Sequence, residues 1–412
     1  MHHVLAKEVV IASTVRTPVG RFDGSLGDFD ALDLGTIAVR EALQRSGIDP
    51  ALVEMVSLGC VVPAGLGLVP AKTVASRAGL GHQVVSRTVN AACGASMDAM
   101  VITCDSIQLG VTQVAVAGGM ESRSNAPYLF GPKFRVKTEH YRRGERVRVQ
   151  RGGAYRFVLS EHIEEQLAGA EMKDATAYDG LFWPGQKKFM REYALMFAKK
   201  QGYTAPLVNE YAEQSYRKAE RATAEGWFAP EIVPCGEAAR DDILTAEERQ
   251  QIYEKDPEDL ASAYNASVPA DAGAAMVLLS GEKARELGLQ PMARILAYSR
   301  SDCDPKDYLG EPVVAVEELL GALRASGYRE KFPIIEANEA FGIQLPFYEQ
   351  AFPGMEINVH GGAVALGHPF GAAGVRIVTT LLYAMRRYGH PRGLATMCYG
   401  GGAYAFAFEL ME

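Results

Sequence analysis

The chain has 412 residues, of which 48% are hydrophobic and 22% charged, an ordinary soluble composition that excludes disordered, collagen-like and fibrous classes. At roughly 150 residues per domain, the length predicts two or three compact units around a large buried core. The net charge of −8 speaks against nucleic acid as the main partner, because binding a phosphate backbone needs a net basic footprint.

Taken in chain order, Val9-Val10-Ile11-Ala12 reads as a strand that ends at the turn Arg16-Thr17-Pro18-Val19-Gly20. Apolar spacing at Leu34, Ile37, Ala38 and Ala42 predicts a helix stopped by Gly47. Met55 to Val62 reads as a buried strand, and strand, helix and strand alternate again from Val84 to Gly118. Such alternation predicts a largely parallel sheet covered by helices. The pattern breaks after Pro127. Residues 128–263 are richer in charge and aromatics and include one long amphipathic stretch from Glu192 to Gly226. Alternation returns from Pro291, with apolar segments at Ala293–Ala297, Ile334–Ala337, Leu394–Cys398 and Ala403–Leu410. Helical patterns near Val314–Ser326 and Gly371–Tyr388 separate them. A Gly-rich helix start followed by a Gly-terminated strand occurs in both alternating regions, so a duplicated α/β unit with an insertion is the economical reading.

Within the insertion, residues 146–159 alternate on both sides of Gly152-Gly153, the pattern of a hairpin with a two-residue turn. The same region is basic. Nine Lys or Arg against two acids between Lys133 and Arg156 give a local +7 and leave the remainder of the chain at −15.

The six cysteines, at 60, 93, 104, 235, 303 and 398, show no C-x-x-C spacing, which disfavours zinc and suits a reducing compartment. Neither end carries a targeting pattern, and no apolar run reaches the roughly 18 residues of a membrane span. A cytoplasmic location is the expectation.

Four short stretches could carry chemistry. Asn90-Ala91-Ala92-Cys93-Gly94-Ala95-Ser96 puts a cysteine among small residues at a strand-to-helix junction, where the helix N-terminus lowers a thiol pKa. A buried, inert cysteine is the competing reading. His360-Gly361-Gly362-Ala363-Val364-Ala365-Leu366-Gly367-His368-Pro369 flanks a histidine with glycines, suiting a base near a ligand or a structural histidine in a turn. The stretch has no phosphate-loop spacing and follows no strand, so ATP and NAD find no support. Cys398-Tyr399-Gly400-Gly401-Gly402 supplies a second thiol at a strand end with backbone N–H groups for an oxyanion. Glu336-Ala337-Asn338-Glu339-Ala340-Phe341 ends another apolar strand in polar groups.

Together, and in this order, these motifs resemble the thiolases, almost from end to end. The likeness also covers Arg16–Phe22, Gly118–Ser122 through Ala126-Pro127, the helical pattern of Ala194–Cys235, and Asn265-Ala266-Ser267. It implies an α/β fold of duplicated βαβαβαββ halves in a layered α/β/α/β/α core with an inserted loop domain. The expected division is 1–127 with 264–290, 128–263, and 291–412. The implied activity is acyl transfer to and from coenzyme A: cleavage of a 3-ketoacyl-CoA, or the reverse condensation with acetyl-CoA. Coenzyme A would serve as a substrate with no permanently bound cofactor and no metal, in lipid metabolism such as fatty acid β-oxidation, and in a homodimer or homotetramer.

Carried over residue by residue, Cys93 is the acylated nucleophile, His368 its base and Cys398 the second acid/base. Asn338 and His368 form one oxyanion hole, and the backbone N–H groups of Cys93 and Gly400 form the other. Ser267, Met190, Phe189 and His360 would line the CoA and acyl tunnel. Arg142, Arg143, Arg146 and Arg148 are expected to attract the phosphorylated end of CoA. Departures from the family pattern cluster around the acyl pocket. Phe189-Met190-Arg191 replaces H-M-G, His360 stands where Asn is usual, and Ser267–Ala275 is altered, which points to an unusual acyl chain. A synthase working with an acyl-carrier protein is the alternative, disfavoured because Cys398 stands where such enzymes carry a second histidine. A non-catalytic acyl-CoA scaffold is disfavoured by the presence of all four catalytic residues.

Overall fold

A computed structural model describes residues 2–130, 146–148, 155–157 and 171–411. The N-terminal half runs through β1 (His2–Arg16), α1 (Ala31–Ser46), β2 (Met55–Gly59), α2 (Pro70–Arg77), β3 (Val85–Val89), α3 (Ala95–Gln108), β4 (Val114–Glu121) and β5 (Ala270–Ser280). The C-terminal half repeats that order with β6 (Ala293–Asp302), α4 (Glu311–Ala325), β7 (Ile334–Ala337), α5 (Gln344–Ala351), β8 (Glu356–Ile357), α6 (Ala373–Tyr388), β9 (Arg392–Cys398) and β10 (Gly402–Leu410). In space the first five strands lie in the order β3-β2-β4-β5-β1 and the second five in the order β8-β7-β9-β10-β6. The two orders are the same. In each half the three strands linked by helix crossovers are parallel and the other two antiparallel. β1 pairs antiparallel with β6, so the half-sheets join at one edge. The expected duplicated α/β fold is therefore present.

Burial separates the layers. α3 and α6 share an apolar core with side chains of both half-sheets, including Met97, Met100, Met276, Val378, Leu381 and Phe406. α1 and α2 cover the outer face of the first half-sheet, and α4 and α5 that of the second. The ten residues Ala373–Leu382 of α6 are all buried, as a helix enclosed on every side must be.

Local chemistry explains the boundaries. Asp30 caps α1 by accepting the Asp33 N–H at 2.8 Å, and Gly47 closes it in the left-handed region at φ 66°. The amphipathic stretch from Glu192 to Gly226 forms two helices, Met190–Gln201 and Ala205–Ala224. Gly202 (φ 70°) ends the first, and Pro206 at the start of the second removes a donor that a continuous helix would need. β5 is missed by the sequence pattern because its first half, Ala270-Asp271-Ala272-Gly273-Ala274-Ala275, is rich in poor strand formers. Its central, buried position between β4 and β1 supplies what propensity does not. The strands Arg146–Arg148 and Tyr155–Phe157 pair antiparallel, with Arg146 opposite Phe157. A turn at Gly152-Gly153 would have set Arg146 against Leu159, so the register differs by two residues. Most of the basic stretch lies outside the described residues.

Arg16, at the end of β1, ties the sheet to the segment around Glu231 and Asp241. Its Nε donates to Glu231 at 2.6 Å, and Nη1 and Nη2 reach Asp241 at 2.6 and 2.9 Å, all fully buried. Removing one partner of such a cluster leaves uncompensated buried charge. Arg16→Ala is expected to lower stability by about 3–5 kcal/mol. Arg16→Lys should recover part of this, because an ammonium cannot span both carboxylates as a fork. Urea unfolding followed by circular dichroism measures both, and a wild-type midpoint for Arg16→Ala would remove this clamp from the account.

Candidate active site

A cavity of about 630 Å³ opens where the carboxyl ends of the central strands meet the segment between β4 and β5. Cys93, His368, Cys398, Gly400 and Ser267 all line it, together with Met190 and Phe189. A wider surface groove of about 770 Å³, between Trp227, Tyr383 and Tyr388, contains none of them.

Cys93 stands between the end of β3 and Gly94, which begins α3. The preceding Ala92 is held at φ 45°, a left-handed conformation costing about 1–3 kcal/mol for a residue with a side chain. The Ala92 N–H donates to Asn90 Oδ1 at 3.0 Å, and the carbonyls of Ala91 and Ala92 accept from Gly94 and Ala95. This tight turn leaves Cys93 partly open to the cavity. Sequence reasoning expects the helix N-terminus to lower the thiol pKa. The structure overturns that: burial pushes it up to about 12, against a smaller opposing pull from the Arg123 cation. Removal from water outweighs the partial charge of one helix end.

His368 is 2% exposed, and neither ring nitrogen has a hydrogen-bond partner among the described residues. Burial, followed by the Arg123 and Arg376 cations, pushes its pKa down to about 3. Its main chain is fixed, because the His368 N–H donates to the Val268 carbonyl at 2.8 Å. Edge-on contact with Phe370 at 5.2 Å between ring centroids orients the imidazole. The loop before it is anchored by Glu339, whose carboxylate accepts from Ser215 Oγ (2.8 Å), Asn358 Nδ2 (2.8 Å) and the Val364 N–H (3.1 Å).

Asn338 follows β7. Its backbone N–H donates to Thr396 and its carbonyl accepts from Tyr348 Oη at 3.1 Å, which holds the residue in place. The side-chain amide is buried with both polar atoms unpartnered among the described residues. Cys398 ends β9. Gln344 Nε2 reaches its sulfur at 3.7 Å, and burial followed by the nearby Cys93 raises its pKa well above the ordinary thiol value. Gly400 adopts φ 80° in the turn into β10, with the Met190 sulfur 3.2 Å from where a side-chain carbon would stand.

The structure does not bring His360 to the cavity. Its ring packs between Trp227 (5.2 Å), Phe228 (5.6 Å) and Tyr388 (5.7 Å), and Nε2 lies 3.3 Å from the Tyr388 hydroxyl. The Gly361-Gly362 turn that follows carries the chain away from that aromatic cluster before it reaches His368. Arg142 and Arg143 lie outside the described residues, and Arg146 and Arg148 bound the strand Arg146–Arg148. Several lining residues escape sequence reasoning: Arg123, Leu181, Trp183, Tyr308 and Phe370. Only Arg123, a charge directly after an apolar strand, left a signal that could have been followed.

The chain matches the family models for the thiolase N-terminal domain over residues 9–282 and the thiolase C-terminal domain over residues 289–409. An acetyl-CoA acetyltransferase of Escherichia coli is 36% identical over 412 residues, covering 96% of this chain and 97% of the relative. One from Cupriavidus necator is 34% identical, again over 96% and 97%. Among solved structures, the Acat5 thiolase of Ascaris suum, crystallised in complex with coenzyme A, superposes with a TM-score of 0.82 at 33% identity, covering 98% of this chain and 100% of that one. The acetyl-CoA acetyltransferase of Bacillus anthracis gives a TM-score of 0.81 at 31% identity over the whole of both chains. With matches of this extent on both halves, the chain belongs to the thiolase family of acyltransferases.

Proposed function

We propose that this thiolase moves an acyl group between carbon and the sulfur of coenzyme A through a thioester on Cys93. The observation that carries the reading is the convergence on one cavity of two thiols, an unpartnered imidazole and the Gly400 turn. In this reading Cys93 attacks the keto carbonyl of a 3-ketoacyl-CoA as His368 accepts its proton. The carbon–carbon bond breaks, and the departing acetyl-CoA carbanion takes a proton from Cys398. Coenzyme A then attacks the acyl-Cys93 thioester and releases a shortened acyl-CoA. No oxidant is needed, since one thiol is consumed and two thioesters leave. Run backwards, Cys398 removes a proton from acetyl-CoA and the carbanion attacks acyl-Cys93.

Oxyanions form at two points and need donors set in advance, each worth about 3 kcal/mol. The backbone N–H groups of Cys93 and Gly400 supply one pair. The other is His368 with a water held by the otherwise unpartnered Asn338 amide. Ser267 and Met190 would receive the pantetheine arm, so the insertion 128–263 would share in coenzyme A binding through Met190.

Both reacting groups of the first step start uncharged, because burial raises the thiol and lowers the imidazole. A resting thiolate–imidazolium pair is therefore disfavoured, and proton transfer is coupled to sulfur–carbon bond formation. Two experiments follow. Incubation with acetyl-CoA should add one acetyl group to Cys93, detected by mass spectrometry, and Cys93→Ala should carry none. Cys398→Ala should still be acetylated but lose carbon–carbon cleavage by about 10²–10⁴-fold, the usual contribution of a positioned acid/base. An acetyl group found elsewhere on wild-type protein would sink the assignment.

The second test concerns pH. With a thiol pKa near 12, the thiolate fraction grows as pH rises, and with an imidazole pKa near 3 no histidine titration interrupts it. Alkylation of Cys93 by iodoacetamide should accelerate about tenfold per pH unit between about pH 7 and 10, without levelling. A plateau near neutrality would reveal a preformed ion pair instead.

A further inference from the structure

Arg123 has no part in the chemistry above, yet it lines the same cavity. It stands two residues beyond Glu121 at the end of β4 and is 6% exposed. Its Nε has no hydrogen-bond partner, and the guanidinium makes no ion pair among the described residues. Burial lowers its pKa only to about 10, so it remains a cation at neutral pH.

The carboxylates closest to it are committed elsewhere. Glu121 accepts from the N–H groups of Val61 (3.0 Å), Val62 (3.1 Å) and Gly371 (2.9 Å). Asp271 accepts from the Arg123 and Ser124 N–H groups and the Ser124 hydroxyl at 2.6, 3.0 and 2.5 Å. Asp174 accepts the Thr176 N–H at 2.8 Å. They soften the local potential without pairing the guanidinium. Asp179 also lines the cavity, but it is exposed to solvent. Arg123 lies instead over the face of Phe370, 4.3 Å from the ring centroid, and that ring touches His368 edge-on. The neighbouring wall, formed by Leu181, Phe182 and Phe370, is apolar. A buried cation in such surroundings is costly unless something completes it.

We infer that Arg123 receives a carboxylate at the far end of the acyl chain, so that the preferred substrates are 3-oxo dicarboxylic acids linked to coenzyme A through one carboxyl group. The inference rests on the reading of Cys93 as acyl acceptor. Arg123 faces the space beside Cys93 and His368, where the chain attached to Cys93 must lie. The phosphates of coenzyme A are separated from the thioester by the length of pantetheine and cannot occupy that position in the same complex. A guanidinium also matches a carboxylate as a two-point fork. The reaction is the one already described. CoA–SH and the ω-carboxylated 3-oxoacyl-CoA give acetyl-CoA and an ω-carboxylated acyl-CoA two carbons shorter, and the tail carboxylate is unchanged throughout.

The test compares kcat/KM for an ω-carboxylate 3-oxoacyl-CoA and its terminal primary amide, which has the same shape without the charge. The wild-type protein should favour the carboxylate by about 10- to 100-fold, the range for a hydrogen-bonded charge. Arg123→Met should bring this ratio close to one, and Arg123→Lys should retain part of it. Because the ratio is taken within one protein, any loss of folded material cancels. A wild-type ratio near one, or a ratio that persists in Arg123→Met, overturns the inference. So does an equal loss on both substrates, the outcome expected if Arg123 only favours the Cys93 thiolate or balances Glu121. Acetylation of Cys93 by acetyl-CoA, measured alongside, separates the two levels. With acetylation intact and no charge preference, only the acidic-tail inference fails; without acetylation, the thiolase reading of the site fails as well.

Discussion

Everything at the site depends on how the two halves of the chain meet at one buried carboxylate. Glu121, at the end of β4, accepts hydrogen bonds from Val61 and Val62 in its own half and from Gly371 in the other. Gly371 belongs to the turn that follows His368 and Phe370, so the carboxylate fixes the His368 loop of one half against the strand ends of the other. The approach is so close that a side-chain carbon on Gly119 would stand 1.9 Å from the Gly371 carbonyl oxygen, and one on Gly371 would stand 2.5 Å from that of Met120. Only glycine permits backbone to rest on backbone in this way. Ser96 Oγ accepts the Val375 N–H at 3.1 Å and ties the start of α3 to the start of α6. Cys93, just before α3, and His368, just before α6, are thereby placed by one junction rather than by two independent loops.

That junction also accounts for the electrostatics. Bringing two half-sheets together around α3 and α6 removes water from the strand ends, and burial then dominates each pKa at the site. Thiols move up and the imidazole moves down, so the free site holds few charges of its own. In the proposed reading, the N–H groups of Cys93 and Gly400 would keep their full effect there, because little solvent competes with them. On the same reading the two thiols and the imidazole carry no charge until a substrate arrives, while Arg123 is a cation already present in the cavity wall.

Much of this was legible in the sequence, for a physical reason. Glycine and proline punctuate the places where strands hand over to the turns of the candidate site, and those turns need particular backbone angles whatever surrounds them. Cys93, His368, Cys398 and the Gly400 turn therefore stand out in the sequence as candidates. The order of their motifs and its resemblance to the thiolases suggests their roles, and the repeated Gly-rich helix start and Gly-terminated strand suggest the duplication. What escaped is what only tertiary contact decides. β5 is a strand because β1 and β4 enclose its small residues. The family pattern puts His360 beside the glycine loop, where Asn is usual, yet Trp227 and Tyr388, remote in sequence, claim its ring. The direction of the Cys93 shift could not be read locally either, since a helix end is visible in sequence and the depth of burial is not.

The buried arginines show how burial alone differs from readiness for a ligand. Arg16 is fully enclosed and fully answered, with Glu231 and Asp241 on its fork, and it serves the fold. Arg376 is fully enclosed with none of its three nitrogens hydrogen-bonded among the described residues. It nonetheless sits in the field of Glu336, Glu231 and Glu339 and lines none of the cavities described above. Its charge is balanced at a distance, and no molecule entering the active site can reach it. Arg123 differs from both because it is enclosed, makes no ion pair among the described residues and lines the open space beside Cys93. A protein that needed only a counter-charge for Glu121 could place that cation inside packing, as it does with Arg376. On the proposed reading, setting it in the cavity wall beside Cys93 makes every neutral acyl chain desolvate it without compensation, a penalty that an anionic chain would remove.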